Sequence, residues 1–550
     1  MRKAQACEGA GCQGSEGTVV MIVIGVQDLP RPKGSRRWQV FDYRKLGFTM
    51  NDAKFNDANC EKPSHGICQR WSEIRWTEAE NYVNRLQQRI VKAVLAGKWN
   101  LVKRLQYLLT HSFYAKALAI KKVTGNRGKK TPGIDNEIWL TVEKKWEAIE
   151  QLNSKGYHSK PTKRVHIKKD NGKLRPLSIP TMRDRAMQTL YLMALHPIEE
   201  TTADKSSFGF RINRGCHDAC ERMFNILSAK GSSQWILEGD IKGCFDNISH
   251  EWMLKNIPMD KRILSQFIRS GFVFERKLFP TSKGAIQGGA ISPTLANMVL
   301  DGLESELWNK LNIGPTGKTR KLINPHKIYL VRYADDFIVT ADNKETLEEA
   351  KTVIEAFMQK RGLELSEEKT VITNMKDGFD FLGWNFRKYN GKLIIKPSKK
   401  SIKKLYRKVS ETIKYLRAAS QYMLIGKLNQ ILTGWCNYHE TVCSKVVFEK
   451  ADHVIFDMLM HWAIRRHPHK GKRWIVHRYW AIDKGQGWKF SDGKMTLKQC
   501  GLVPIVRHPR LNRSKNPYLD RDYFEGRQRK KKLLRQQAYC KNAALRLAGN

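Results

Sequence analysis

The chain has 550 residues, 41% of them hydrophobic, and a formal net charge of +46 from 99 Lys and Arg against 53 Asp and Glu. That length and composition exclude a mostly disordered polymer and leave room for several domains with cores of their own. A field so positive points to polyanionic partners, with binding that weakens as salt rises through counterion release.

Eleven cysteines without one Cys-x-x-Cys pair give neither a disulfide framework nor a zinc finger. Cys7 and Cys12, and likewise Cys216 and Cys220, are close pairs without matching second pairs, so no structural zinc is expected. A reduced, cytoplasmic setting is the simplest one. The one long apolar run, Val19 to Val26, is too short to span a bilayer and lacks the flanks of a signal peptide. No membrane association is expected.

Residues 1–70 show little periodicity and read as a poorly ordered extension, within which Met50 is a candidate start codon. Organised structure begins near Thr77, where Thr77-Glu78-Ala79-Glu80 has the form of a capping box. Tyr82, Val83, Leu86, Ile90, Val91 and Val94 follow at helical spacing up to Gly97, and Leu101 to Leu109 predict a second helix. Asn126 to Gly133 is a basic loop, and Arg164 to Pro180 predict a hairpin turning at Asp170-Asn171-Gly172. Trp235 to Asp240 read as a strand that ends at an acid. Leu295 to Leu303 and Leu347 to Phe357 read as helices. Between these two, Lys327–Arg332 and Phe337–Thr340 predict two strands joined by a tight Tyr333-Ala334-Asp335-Asp336 turn. The fold class is therefore α+β, an antiparallel sheet backed by helices.

After Gly391 the pattern turns helical and strongly basic, with 36 Lys and Arg against 10 acids. Ile402, Leu405, Val409, Ile413 and Leu416 form one apolar stripe, and further helices are predicted over Met423–Trp435 and Val446–Ile464. Trp435, Tyr438, Trp462, Trp474, Tyr479, Trp480 and Trp488 punctuate this region, some as core and some as stacking platforms for bases. His467, His469 and His477 read as surface imidazoles, since no acid or Cys completes a metal shell around them. Beyond Trp480 a small, loop-rich basic module is expected. The cationic run Arg527–Arg535 is either a solvated helix or an RNA-binding tail.

Phosphoryl transfer needs carboxylates that hold two divalent ions close together, one activating the attacking oxygen and one stabilising the leaving group. Asp240 at a strand end and Asp335 in a hairpin turn converge if their strands are neighbours. Adjacent acids crowded at a sheet edge repel one another, and a cation relieves that repulsion. An Asp-Asp pair alone is more often an ordinary hairpin. Here it comes with Asp240-Ile241-Lys242-Gly243-Cys244-Phe245-Asp246 and Gln287-Gly288-Gly289 upstream.

In order and spacing these segments resemble the palm of reverse transcriptases. Ser207-Phe208-Gly209-Phe210-Arg211, Gln287 to Pro293, Leu363 to Lys369 and Phe381-Leu382-Gly383-Trp384 are similar to further blocks of that family. Thr131-Pro132-Gly133-Ile134-Asp135 and Gly434-Trp435-Cys436-Asn437-Tyr438 resemble group II intron-encoded reverse transcriptases with a maturase, or thumb, domain. The resemblance covers Trp76 to Arg529.

It implies a right-hand polymerase fold, with fingers and palm followed by a helical thumb and a small DNA-binding module. It also implies Asp240, Asp335 and Asp336 as the catalytic acids. Asp240, Asp335 and the Ile241 carbonyl would hold two Mg²⁺ ions, with Mn²⁺ able to substitute. Lys169, Arg175, Phe245 and Gln287 would bind the incoming nucleotide, with the Phe245 ring rejecting a 2′-hydroxyl by overlap. Arg164, Gly288, Gly289 and Lys369 would meet template and primer. Lys403, Lys404, Arg407, Trp435 and Tyr438 would face RNA.

The domains expected on this basis are an extension (1–70), fingers and palm (71–390), thumb or maturase domain (391–480), a basic DNA-binding domain (481–529) and a remnant of an endonuclease domain (530–550). Only Cys540 stands where relatives carry two Cys pairs, so no DNA cleavage is expected from the chain itself. The implied partners are group II intron RNA, target DNA and deoxynucleoside triphosphates, with the oligomeric state left open. The implied function is RNA-directed DNA polymerisation combined with help in splicing. The alternatives are a splicing-only maturase or a reverse transcriptase of the retron or diversity-generating lineage.

Overall fold

The computed structural model describes residues 71–168, 172, 174–312, 324–483 and 487–548. The expected N-terminal extension, Lys169 and the turn residues Asp170 and Asn171 lie outside them.

Four strands make the central sheet, in the order Tyr329–Tyr333, Asp336–Ala341, Trp235–Gly239, Val371–Asn374, all antiparallel. Alternate residues divide its two faces. Leu237, Leu330, Phe337 and Val339 point into a large core with the helix Lys344–Gln359, which contributes Leu347 and Ile354. Ile236, Val331 and Ile338 point the other way, against Phe208 and the helix Cys216–Leu227. The sheet is thus covered on both sides, and its chemistry is confined to one end.

The N-terminal helices Trp76–Leu95, Trp99–His111 and Phe113–Gly125 pack with the helix Met182–Thr202 and extend the same core. A second four-stranded sheet carries the hairpin of Thr162–Lys168 and Leu174–Ile179, paired from Lys163↔Ile179 to Lys168↔Leu174. Past the palm, the helices Lys399–Tyr415, Gln421–His439 and Lys445–Arg466 enclose a separate core in which Leu405, Val409 and Ile413 are buried as the stripe predicted.

Two expectations need correction, and a third region gains detail. The first helix begins at Trp76 with Arg75 at its N-cap and no side-chain cap, so Thr77 lies inside the helix and no capping box forms. The stretch Leu295–Leu303 is not one helix. Ser292–Leu300 stops at Asp301, and Leu303–Leu311 restarts after Gly302, whose φ of 95° only glycine adopts easily. The loop-rich C-terminal region contains a hairpin, Trp480–Asp483 with Gly487–Phe490, and ends in one long helix, Arg521–Ala548. That helix includes the whole Arg527–Arg535 run.

Among the described residues, no helix is long and apolar enough to cross a membrane.

Candidate active site

Asp240 follows the last residue of the Trp235–Gly239 strand, whose register sets Gly239 opposite Phe337. On the other side, Tyr333 pairs with Asp336, which leaves Ala334 and Asp335 as the two turn residues of a tight hairpin. Ala334 takes a φ of 59°, costly for a residue with a Cβ, so the surroundings must hold it. Two glycines show how closely they do. A Cβ on Gly209 would lie 2.4 Å from Ala334 N, and one on Gly239 would lie 2.2 Å from the Phe337 ring.

Beneath the turn lies a polar support that the sequence did not announce. Ser207 bridges Arg332 in parallel, with Arg332 N donating to Ser206 O and Phe208 N donating to Arg332 O, both at 2.9 Å. The Arg332 side chain is fully buried. It pairs with Asp301 and donates from Nη1 to Asn297 Oδ1 (3.2 Å) and, at long range, to Ala334 O (3.4 Å). Asn297 donates in turn to Glu199 Oε1 (2.8 Å) and Gly209 O (2.9 Å). Glu199 is buried so deeply that its carboxyl is pushed up to about 8, even with the Asn297 hydrogen bond pulling it back.

Asp240, Asp335 and Asp336 line one cavity of about 840 Å³, together with Ile241, Phe245, Arg175, Gln287 and Lys369. Lys369 Nζ lies 2.7 Å from Asp240 Oδ2, and that hydrogen bond leads in raising its own pKa. Lys369, expected at template and primer, here pairs with Asp240 in the same cavity. Asp336 keeps solvent on one side. Partial desolvation, followed by repulsion from Asp335 and Asp240, pushes its carboxyl up to about 6.

As placed, the acids do not form a closed metal cage. No group of three or more His, Cys, Asp or Glu among the described residues could hold an ion by itself. The donor set still fits Mg²⁺, which commonly takes one or two carboxylates and fills its shell with waters and substrate phosphates.

Around the acids, Phe245 stands on the short helix Cys244–Asn247, entered through Gly243 at a φ of 54°. Arg175 is exposed at the cavity wall. With its amide nitrogen turned to the Pro176 carbonyl (2.5 Å), Gln287 accepts from Arg175 Nη2 at 3.1 Å. Phe210, to which the sequence gave no role, also lines the cavity, with a positive φ and a half-exposed ring. A bulky residue in a left-handed conformation can be seen only in the backbone.

Other candidates sit elsewhere. Arg164 lies in an adjoining pocket of about 250 Å³ shared with Phe245, where its guanidinium stacks 3.7 Å over the Phe272 ring. Gly288 and Gly289 do not line the acid cavity. A Cβ on Gly288 would lie 2.4 Å from Ser178 O, and one on Gly289 would lie 2.7 Å from Ser292 Oγ, so their bareness serves packing within the protein. Lys403, Lys404 and Arg407 are exposed on the helix Lys399–Tyr415, away from the cavity. Trp435 donates to Ser401 Oγ (3.2 Å), and the Tyr438 ring stacks on Trp384 at 4.6 Å while its hydroxyl donates to Leu382 O (2.8 Å). Both rings make contacts within the protein and stay partly exposed.

Three family models match in order along the chain. They are the N-terminal domain of reverse transcriptase over residues 71–152, the reverse transcriptase (RNA-dependent DNA polymerase) over 167–386, and the group II intron maturase-specific domain over 402–480. Protein YkfC of Escherichia coli is 31% identical over 337 residues, 55% of this chain and 87% of that protein. The group II intron-encoded protein LtrA of Lactococcus lactis is 30% identical over 346 residues, and 56% of its length is spanned. A protein in the cob intron of Schizosaccharomyces pombe is 27% identical over 417 residues, 51% of its own length. An acid-lined palm beneath a tight hairpin, followed by a helical domain of maturase type, places the chain in the family of group II intron reverse transcriptases and maturases.

Proposed function

We propose that the chain copies group II intron RNA into DNA from a primer at the target site, and that it also binds the intron RNA to assist its splicing. The observation that carries the polymerase half is the convergence of Asp240, Asp335 and Asp336 on one cavity that also holds Phe245, Arg175 and Gln287. Two Mg²⁺ ions, held by Asp240 and Asp335 with the Ile241 carbonyl, would supply activation of the primer hydroxyl and stabilisation of the departing pyrophosphate. Asp336 supports the pair from the far side of the turn.

The Arg175 guanidinium, held by Gln287, meets the triphosphate as a fork of donors. Lys169, which the resemblance assigns to the same role, joins it in binding the triphosphate. The Phe245 ring lies where the sugar passes and excludes a 2′-hydroxyl by overlap. Lys369 neutralises Asp240 until the substrate arrives.

The helices of residues 391–480 form the thumb and the RNA-binding half, through Lys403, Lys404 and Arg407 among others. Residues 481–529 contact target DNA. A maturase without polymerase activity would have no use for an arginine-buttressed acid turn, and that favours the dual reading.

Primer extension on poly(rA)/oligo(dT) with Mg²⁺ tests the polymerase, with Asp335→Ala as control. Extension by the parent that falls at least a hundredfold in the variant is expected. An inactive parent, or an active variant, refutes the assignment.

A further inference from the structure

A second cavity, of about 510 Å³, opens between the helix Gln421–His439, the segment around Arg507 and the C-terminal helix Arg521–Ala548. Arg507, Lys531 and Lys532 stand on its walls and are exposed. Among the described residues, no acid lies within 4 Å of any of these three cations. Arg535 is different. It is spent on Glu440 Oε2 (3.4 Å) and Asn437 Oδ1 (2.5 Å). Glu440 is the single acid on the walls, and burial pushes its carboxyl up. Glu440 lies near Lys531 as well as Arg535, but one acid offsets only part of the positive charge the cavity gathers, and repulsion among its walls is relieved when an anion enters.

The second observation is Gly434. It sits well inside the helix Gln421–His439, where glycine is a poor helix former. Packing does not explain it, because a Cβ there would meet nothing within 4 Å. Its φ is not in the left-handed region, so the backbone does not explain it either. What the missing side chain does is leave bare helix backbone at the mouth of a cationic cavity, one turn before Asn437. Glycine at such a place lets another chain's backbone approach closely.

We propose that this cavity seats the phosphodiester backbone of structured RNA, with phosphates between Arg507, Lys531 and Lys532 and a ribose lying against Gly434. The inference rests on the reading that the chain binds intron RNA, and Gly434 lies within the maturase-specific match. It names a place for that RNA other than the exposed lysines of the Lys399–Tyr415 helix.

The test uses the full chain and a fluorescein-labelled RNA hairpin, with a DNA duplex of the same sequence in parallel. Binding is followed by fluorescence anisotropy over a series of salt concentrations. Lys531→Gln and Lys532→Gln should each reduce the steepness of the log–log salt dependence by about one. Gly434→Ala should weaken RNA binding by roughly tenfold at unchanged salt dependence, because it adds bulk and removes no charge. Its thermal midpoint should hold or rise, since alanine favours the helix, so a folding defect cannot imitate the result.

Equal RNA binding by Gly434→Ala and the parent overturns the site. An equal loss on the DNA duplex overturns the assignment to RNA. A parent that binds neither probe overturns both this inference and the RNA-binding reading beneath it. An inactive polymerase whose variants still show these anisotropy effects removes the catalytic reading and leaves this site standing.

Discussion

Replacing Arg332 by methionine separates two jobs that one side chain performs. Arg332 is fully buried, pairs with Asp301, and reaches Asn297 Oδ1 and the carbonyl of Ala334 in the acid turn. Removing one partner of a buried ion pair costs about 3–5 kcal/mol, because the other charge is left in low dielectric. Here the lower end applies. Burial already pushes the Asp301 carboxyl up and Arg332 is the leading group that pulls it down, so without Arg332 it can take a proton. A loss of about 3 kcal/mol is a large share of a typical stability of roughly 5–15 kcal/mol, yet it leaves a folded protein. The double variant Arg332→Met/Asp301→Leu removes both charges and should recover to within about 1.5 kcal/mol of the parent. Neither variant restores a donor to Ala334 O. Primer extension should therefore fall about tenfold in kcat in both, with KM for nucleotide nearly unchanged, since what is lost is the aim of Asp335. Urea unfolding followed by tryptophan fluorescence gives the stabilities, and single-nucleotide extension gives the rates. A double variant that regains both stability and full kcat would show that Arg332 does not position the turn. A single variant as stable as the parent would refute the buried pair itself.

Two further outcomes follow from the same support. Gly209→Ala would place a Cβ against the Ala334 backbone, where nothing flexible can yield; a stability loss of about 1–3 kcal/mol and a marked fall in extension rate are expected from denaturation and kinetics. Glu199 has a carboxyl held near 8, above its ordinary 4.5, so the folded protein keeps a proton that the unfolded chain releases. The stability it contributes is fully present below pH 4.5 and declines as pH rises toward about 8. Glu199→Gln should flatten that decline in unfolding midpoints measured across the window, and an unchanged slope would show that Glu199 titrates normally.

The acids were legible in the sequence because they sit at the ends of strands, where alternation and a short turn fix the geometry from neighbours alone. Asp240 follows an apolar strand, and Asp335 occupies a two-residue turn. The support beneath them was not legible. Arg332 on a strand, Asn297 on a helix with Asp301 at its C-cap, and Glu199 on another helix far earlier in the chain are brought together only by the packed fold, which reveals that each satisfies another. The misread helix has the same origin. Leu295 to Leu303 carry a helical pattern, but the chain breaks at Asp301-Gly302, and Asp301 is the residue that meets Arg332. Gly288 and Trp435 carry intramolecular contacts that the sequence did not announce. Their residue types suit contact with nucleic acid, yet one is bare so that Ser178 can approach and the other caps a bond to Ser401. Residue type alone does not show which neighbouring element such a residue packs against.

The C-terminal segment, expected as a small basic module, is tied to the palm by its own contacts. Arg513 donates to Ser206 Oγ (2.7 Å), Asn516 donates to Thr201 Oγ1 (3.2 Å), and the Tyr518 hydroxyl lies 3.1 Å from His196 Nδ1. Asp218, on the helix behind the sheet, takes both Arg527 and His508. Ser206 is the telling residue. Its hydroxyl takes the bond from Arg513, and its carbonyl accepts from the backbone of Arg332, two residues before Ala334. The helix Arg521–Ala548, which carries Lys531 and Lys532, is anchored through Arg527 to the same side of the sheet. On the proposed reading, nucleic acid held there would rest on the same framework that supports the acid turn. The C-terminal helix and the acid turn are thus joined through one run of contacts, Arg527 to Asp218 and Arg513 to Ser206 and Arg332, and charge alone on a sequence cannot show that.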